Sequence, residues 1–94
     1  MSVLSTEIVK EKLRSLPHWK LEGKEIVRHF EFPDFVAAMA FVNEVAEKAE
    51  KAGHHPDIDI RYNKVTMSLI SHDSGGVTQR DVRMAGKISQ ITGS

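Results

Sequence analysis

The stretch Asp57-Ile58-Asp59-Ile60-Arg61-Tyr62-Asn63-Lys64-Val65-Thr66-Met67-Ser68-Leu69 changes sides at every residue, with one interruption, and its reading decides the fold. Before the interruption Ile58, Ile60 and Tyr62 share one side, opposite Asp57, Asp59 and Arg61. After it Val65, Met67 and Leu69 point one way, while Thr66, Ser68, Ile70 and His72 point the other. A period of two marks strands with one face buried and one face wet. Asn63-Lys64 is the expected turn between them, and so short a connection makes the strands antiparallel. Their apolar face needs a cover, which the flanking segments must supply.

Upstream, Pro33-Asp34 opens the longest helix, with Asp34 as the expected N-cap. Phe35, Met39, Val42, Ala46 and Ala49 keep the helical period and are expected to face the sheet. Ala37, Phe41 and Val45 form a second apolar row, which fits either a partner subunit or a wide core-facing stripe. Gly53 stands where a helix ends in a left-handed residue. Further back, His18 to Glu22 and Glu25 to Phe32 read as strands joined at Gly23-Lys24, with Ile26, Arg28, Phe30 and Phe32 on the buried side. A first helix capped by Ser5 carries Val9, Leu13 and Leu16 on one face and closes at Pro17. Downstream, Ser74-Gly75-Gly76 leads into a last helix from about Thr78, with Val82, Ala85, Ile88 and Ile91 inward. The order is α-β-β-α-β-β-α: an α+β fold with a four-stranded antiparallel sheet and three helices on one face.

Composition narrows the function. The 94 residues are expected to form one domain, 1–94, because two cores at this length would each be too small. So small a chain also leaves much surface uncovered, which makes self-association a reasonable expectation. Lys and Arg number 13 and Asp and Glu 13, so no basic excess exists to hold nucleic acid. There is no cysteine, which excludes disulfide scaffolds, thiolate metal sites and cysteine nucleophiles. No apolar run near the first residues reads as a signal peptide and no segment has membrane-spanning length, so a cytoplasmic protein without membrane contact is expected.

Three of the five histidines fall between Glu50 and Asp81, in the pattern E-x3-H-H-P-x5-Y-x9-H-x8-D. Imidazole is the side chain whose ordinary pKa lets it give and take protons near neutrality, so His54, His55 and His72 around one pocket would suit proton transfer. Each has a plainer reading. His54 and His55 could merely finish a helix, His72 could be a solvated strand end, and Asp81 could serve only in the capping box Thr78-x-x-Asp81. Capping and steadying an imidazole are compatible for a carboxylate that accepts several hydrogen bonds. Pro56 keeps His55 extended, and adjacent side chains in an extended segment diverge, so the two rings should do different work. His18 and His29 read as ordinary strand residues, and Trp19 and Tyr62 are expected to be packed. Glu44–Lys48 and Glu47–Lys51 are spaced as solvated helix pairs. Two histidines and a carboxylate could hold iron or zinc, but HExxH spacing is missing and the metal signal is weak.

These residues together resemble the pterin-4a-carbinolamine dehydratases, also called 4a-hydroxytetrahydrobiopterin dehydratases. The likeness includes Glu50, His54-His55-Pro56, Tyr62, His72 and Asp81, and further Trp19, Glu22-Gly23, Phe30-x-Phe32, Asp34-Phe35, Tyr62-Asn63-Lys64-Val65 and Arg80-Asp81-Val82. It spans nearly the whole chain. The resemblance implies an antiparallel sheet covered by helices, assembled into homodimers or homotetramers by sheet edges and long helices. It implies loss of water from 4a-hydroxytetrahydropterin to give quinonoid dihydropterin, recycling the cofactor of aromatic amino acid hydroxylases. The pterin is then the substrate, and no cofactor or metal is expected. His54, His55, His72 and Asp81 are the implied catalytic set, with His55, Pro56 and Asp57 at the substrate. His54 and His72 would be the acid–base pair, His55 would orient the hydroxyl, and Asp81 would hold an imidazole from behind. The competing class is a binding or assembly protein on the same scaffold, since some members of the family act as dimerisation cofactors and some relatives as assembly factors.

Overall fold

The computed structural model describes residues 2–94 and leaves Met1 outside the described residues. Its elements are α1 (Thr6–Leu13), β1 (Lys20–Glu22), β2 (Glu25–Glu31), α2 (Phe35–Ala52), β3 (Asp57–Arg61), β4 (Lys64–Leu69) and α3 (Gln79–Thr92). All strand pairs are antiparallel, and the order across the sheet is β1-β2-β4-β3. The α-β-β-α-β-β-α order read from the sequence is therefore the observed one.

One core fills the space between the sheet and the helices. Val65, Met67 and Leu69 of β4 and Ile26 of β2 are fully buried, against Val9 of α1, Val45 of α2 and Ala85 and Ile88 of α3. Phe30, Phe32 and Phe41 form a ring cluster with centroids 4.7 to 6.3 Å apart. Two polar groups are drawn into this layer. The Trp19 indole donates to Ser89 Oγ at 3.1 Å, and Arg28 Nη1 donates to the same oxygen at 3.2 Å. Arg28 also lies 4.4 Å from the Phe30 ring centroid, and burial lowers its pKa from the usual arginine value.

Four expectations need correction. The sheet-facing side of α2 is Ala38, Phe41, Val42, Val45 and Ala49, while Phe35 and Ala46 are exposed and Met39 is half-buried. The helix is rotated from the expected phase because Phe30 on β2 and Phe32 just beyond it take Phe41 rather than Phe35 as their partner. Phe41 and Val45 thus belong to the core, and the large apolar residues of α2 left outside are Phe35 and Val36. The β3–β4 turn is Tyr62-Asn63, since Arg61 pairs with Lys64. Tyr62, expected to be packed inward with Ile58 and Ile60, is instead 66% exposed because it sits in this turn. Its φ is +53°, a left-handed conformation that is strained for a bulky side chain. Ile60 on the edge strand is exposed too. Lastly, α1 stops at Leu13, before Pro17.

Candidate active site

The histidine segment sits where two helix ends meet one edge of the sheet. Gly53 closes α2 at φ +65°, and its backbone N–H donates to the carbonyls of Ala49 and Glu50. The chain then enters β3, the edge strand, through His54-His55-Pro56. Asp57 pairs with Ser68, so this entry runs beside the exit of β4 at Ile70-Ser71-His72. The first turn of α3 packs underneath. Thr78 caps it, and Asp81 completes the capping box expected from the sequence.

Asp81 is fully buried and joins the three segments. Its Oδ1 lies 2.5 Å from Nε2 of His54, and its Oδ2 accepts from the Thr78 backbone N–H and the Ser71 hydroxyl, both at 2.8 Å. The Ser71 oxygen lies a further 2.8 Å from Thr78 Oγ1. A carboxylate only accepts, so this network places the His54 proton on Nε2. Nδ1 has no hydrogen-bond partner among the described residues. The same carboxylate therefore caps a helix and orients an imidazole, as the sequence allowed.

His55 diverges from its neighbour. Its Nε2 contacts Glu50 Oε2 at 2.8 Å, but the two side chains are 61% and 81% exposed. His72 is exposed on the opposite side of the strand from buried Ser71. All three histidines, with Pro56 and Asp57, nevertheless border one open depression of about 390 Å³ that also includes Gly53, Ile70 and Asp73. Asp57 itself is exposed.

Three contributors escaped the sequence reading, Ser71, Thr78 as a hydroxyl and Asp73, and Arg80 entered it only through the Arg80-Asp81-Val82 likeness, without a role. Arg80 Nη2 donates to Asp73 Oδ1 at 2.5 Å, beside His72. That hydrogen bond holds the Asp73 carboxyl below the usual carboxylate range. The pair's stabilisation is present above that range and is lost as pH falls through the depressed value. Ser71 carried a usable signal. It continues the inward row of Val65, Met67 and Leu69, and a polar residue at a core position needs a buried partner. Tyr62 is the one motif residue far from the depression, five positions beyond Asp57 or roughly 17 Å along an extended strand.

A larger hollow of about 500 Å³ lies on the open face of the sheet, beside His29, Glu31, Asp59, Arg61, Lys64 and Thr66. His29 Nδ1 is paired with Thr66 Oγ1 at 2.9 Å, and no buried charge supports that ring. The smaller depression differs from this hollow in having a ring backed by a buried carboxylate, His54 on Asp81. Among the described residues no group of three His, Cys, Asp or Glu side chains has a metal-holding arrangement, and no helix is long and apolar enough to cross a membrane.

Residues 2–91 match the family model described as "Pterin 4 alpha carbinolamine dehydratase". A protein of Acidobacterium capsulatum named "Putative pterin-4-alpha-carbinolamine dehydratase" is 59% identical over 91 residues, covering 97% of this chain and 99% of its own. A protein of the same name from Chloroflexus aurantiacus is 52% identical, covering 99% of this chain and 100% of its own. Among solved structures, a "transcriptional coactivator/pterin dehydratase" from Brucella melitensis superposes with TM-score 0.90 at 38% identity, covering 96% of this chain and 98% of its own. A pterin dehydratase-like protein described as a RuBisCO assembly factor in the alpha-carboxysome shares the fold at TM-score 0.70 and 23% identity, covering 81% of this chain and 90% of its own.

Proposed function

Because the chain belongs to the pterin 4 alpha carbinolamine dehydratase family, we propose that it removes water from 4a-hydroxytetrahydropterin by acid–base catalysis with its own histidines. The observation that carries this reading is the His54–Asp81 pair at the rim of a depression shared with His55 and His72. In the reaction the C4a–O bond breaks, the hydroxyl leaves as water after taking a proton, and N5 gives up its proton as the N5=C4a double bond forms. One group must donate and one accept, and no electrons enter or leave. Two imidazoles suffice, each positioned group being worth ~10²–10⁴-fold.

His54 is suited to the exchange because Asp81 fixes its tautomer and stabilises the imidazolium that forms when Nδ1 takes a proton. His72 is the second partner, and His55, with Pro56 and Asp57, holds the substrate hydroxyl. The product, quinonoid dihydropterin, is the form a reductase returns to the cofactor of an aromatic amino acid hydroxylase. We further place the protein in the cytoplasm as a homodimer or homotetramer. Exposed Phe35 and Val36, 47% and 76% accessible, support association through α2.

The test is stopped-flow dehydration of freshly generated 4a-carbinolamine, read against the spontaneous rate. Wild type should exceed that background, and His54→Ala and His72→Ala should each lose ~10²-fold or more. Folded variants of all three histidines with wild-type turnover would end the catalytic reading. The same exposed apolar end of α2 favours a second reading, an assembly or binding protein on this scaffold. A stoichiometric protein partner together with no turnover would select it.

A further inference from the structure

His72 lies on the segment from Ser71 to Gly76, and both of its neighbours are tied to the first turn of α3. On one side the buried Ser71 hydroxyl donates to Asp81. On the other, Asp73 accepts from Arg80. His72 itself is exposed and makes no side-chain hydrogen bond among the described residues, so its own ring does not set its place. We propose that Arg80 is a positioning residue that acts through Asp73 to hold the loop presenting His72. One helical turn would then set the spacing of both rings, through Asp81 for His54 and through Arg80 for His72. The catalytic meaning of this role rests on the dehydratase reading.

The loop's internal bonds do not replace this tie. Ser71 N–H donates to Gly76 O, and the N–H groups of Ser74 and Gly75 donate to Ser71 O, which closes the loop on itself. Those bonds leave its tilt against α3 to the side chains. Arg80 is also unlike a freely solvated cation. Its side chain is 30% exposed, its Nε is buried without a hydrogen-bond partner, and its backbone N–H donates to Thr78 Oγ1. Such a group has few alternative positions, so it transmits the place of the helix to the loop. Two rings working on one bicyclic substrate need that precision, since a misplacement of ~1 Å costs ~10²-fold in rate.

The experiment compares Arg80→Gln, Asp73→Asn, their double variant and Arg80→Lys in the whole chain. Each neutral single variant should lower kcat about tenfold, the double should be no slower than the worse single, and lysine should restore part of the loss. In NMR spectra the His72 ring signals should shift in both singles, and by more than those of His54, which Asp81 holds independently. Wild-type kcat with unmoved His72 signals would overturn the proposal. So would a raised KM in Arg80→Gln that Asp73→Asn does not share, because Arg80 would then be binding substrate directly. If the wild type itself shows no turnover, the dehydratase reading fails, and the NMR comparison alone still decides whether Arg80 and Asp73 hold His72.

Discussion

The two ends of the β3–β4 hairpin grow from the same alternating sequence and are held in opposite ways. At the histidine end, the termini of α2 and α3 converge, and a fully buried carboxylate accepts from a ring, a hydroxyl and a backbone amide. At the turn end, Tyr62 is exposed in a left-handed conformation, and Asn63 clips the turn to Phe32, just past β2. Asn63 donates its side-chain N–H to the Phe32 carbonyl at 2.8 Å and accepts the Phe32 backbone N–H at 2.9 Å. Strain is tolerated at the turn because little depends on its shape. Polar groups at the other end have been taken out of water, so each must be paired, and that demand fixes their geometry. Helix ends rather than strands make the difference, since they bring unpaired backbone groups that a carboxylate can satisfy.

Asp81→Ala should break the histidine end most severely. It strands the Thr78 amide and the His54 ring proton, at ~1–3 kcal/mol for each buried group left unpaired, while the Ser71 hydroxyl keeps Thr78 Oγ1 as a partner. The expected loss is about 2 kcal/mol or more in urea denaturation, together with ~10²-fold in turnover of the protein that stays folded. Asp81→Asn keeps one acceptor oxygen and should recover part of the stability. It should recover little rate, because the amide does not stabilise an imidazolium. Equal recovery of both would reduce Asp81 to a helix cap.

Glu50→Gln probes the outer edge of the same end. Glu50 contacts His55 as closely as many buried pairs do, but both side chains are mostly exposed. Solvent screening leaves such a pair worth ~0–1 kcal/mol. The variant should therefore change stability by well under 1 kcal/mol. Since His55 is proposed to orient the hydroxyl, KM should rise more than kcat falls. A stability loss rivalling that of Asp81→Ala would erase the contrast between buried and exposed histidine–carboxylate pairs.

How much of this was legible in the sequence depends on what each residue answers to. The strands around Asp59 and Thr66, the caps Ser5, Asp34 and Thr78 and the stop at Gly53 follow local rules, and all are observed. The phase of α2 was misread because its sequence is apolar on more than one side. Only the Phe30–Phe32 surface decides which side docks, and that is tertiary information. Asp81 could be paired with an imidazole in advance, yet spacing alone did not single out His54. Asp73 stayed hidden and Arg80 had no partner assigned, because each looks like a solvated charge and their meeting depends on how the glycine loop folds back.

Tyr62→Gly tests the turn end, and the expected effect is the smallest. An L-residue in the left-handed region costs ~1–2 kcal/mol, and glycine removes that cost. Glycine also loses more freedom on folding, by ~0.5–1 kcal/mol, which offsets much of the gain. A 66% exposed side chain has little packing to forfeit. The net should be a rise of roughly 0.5 kcal/mol in urea denaturation, with turnover unchanged because the depression lies at the far end of β3. A fall in stability would mean that the ring is packed in solution, against a surface that a single chain does not provide. A fall in turnover at full stability would say more: that the tyrosine of one copy reaches the histidine end of another, so that the two ends of the hairpin belong to one site.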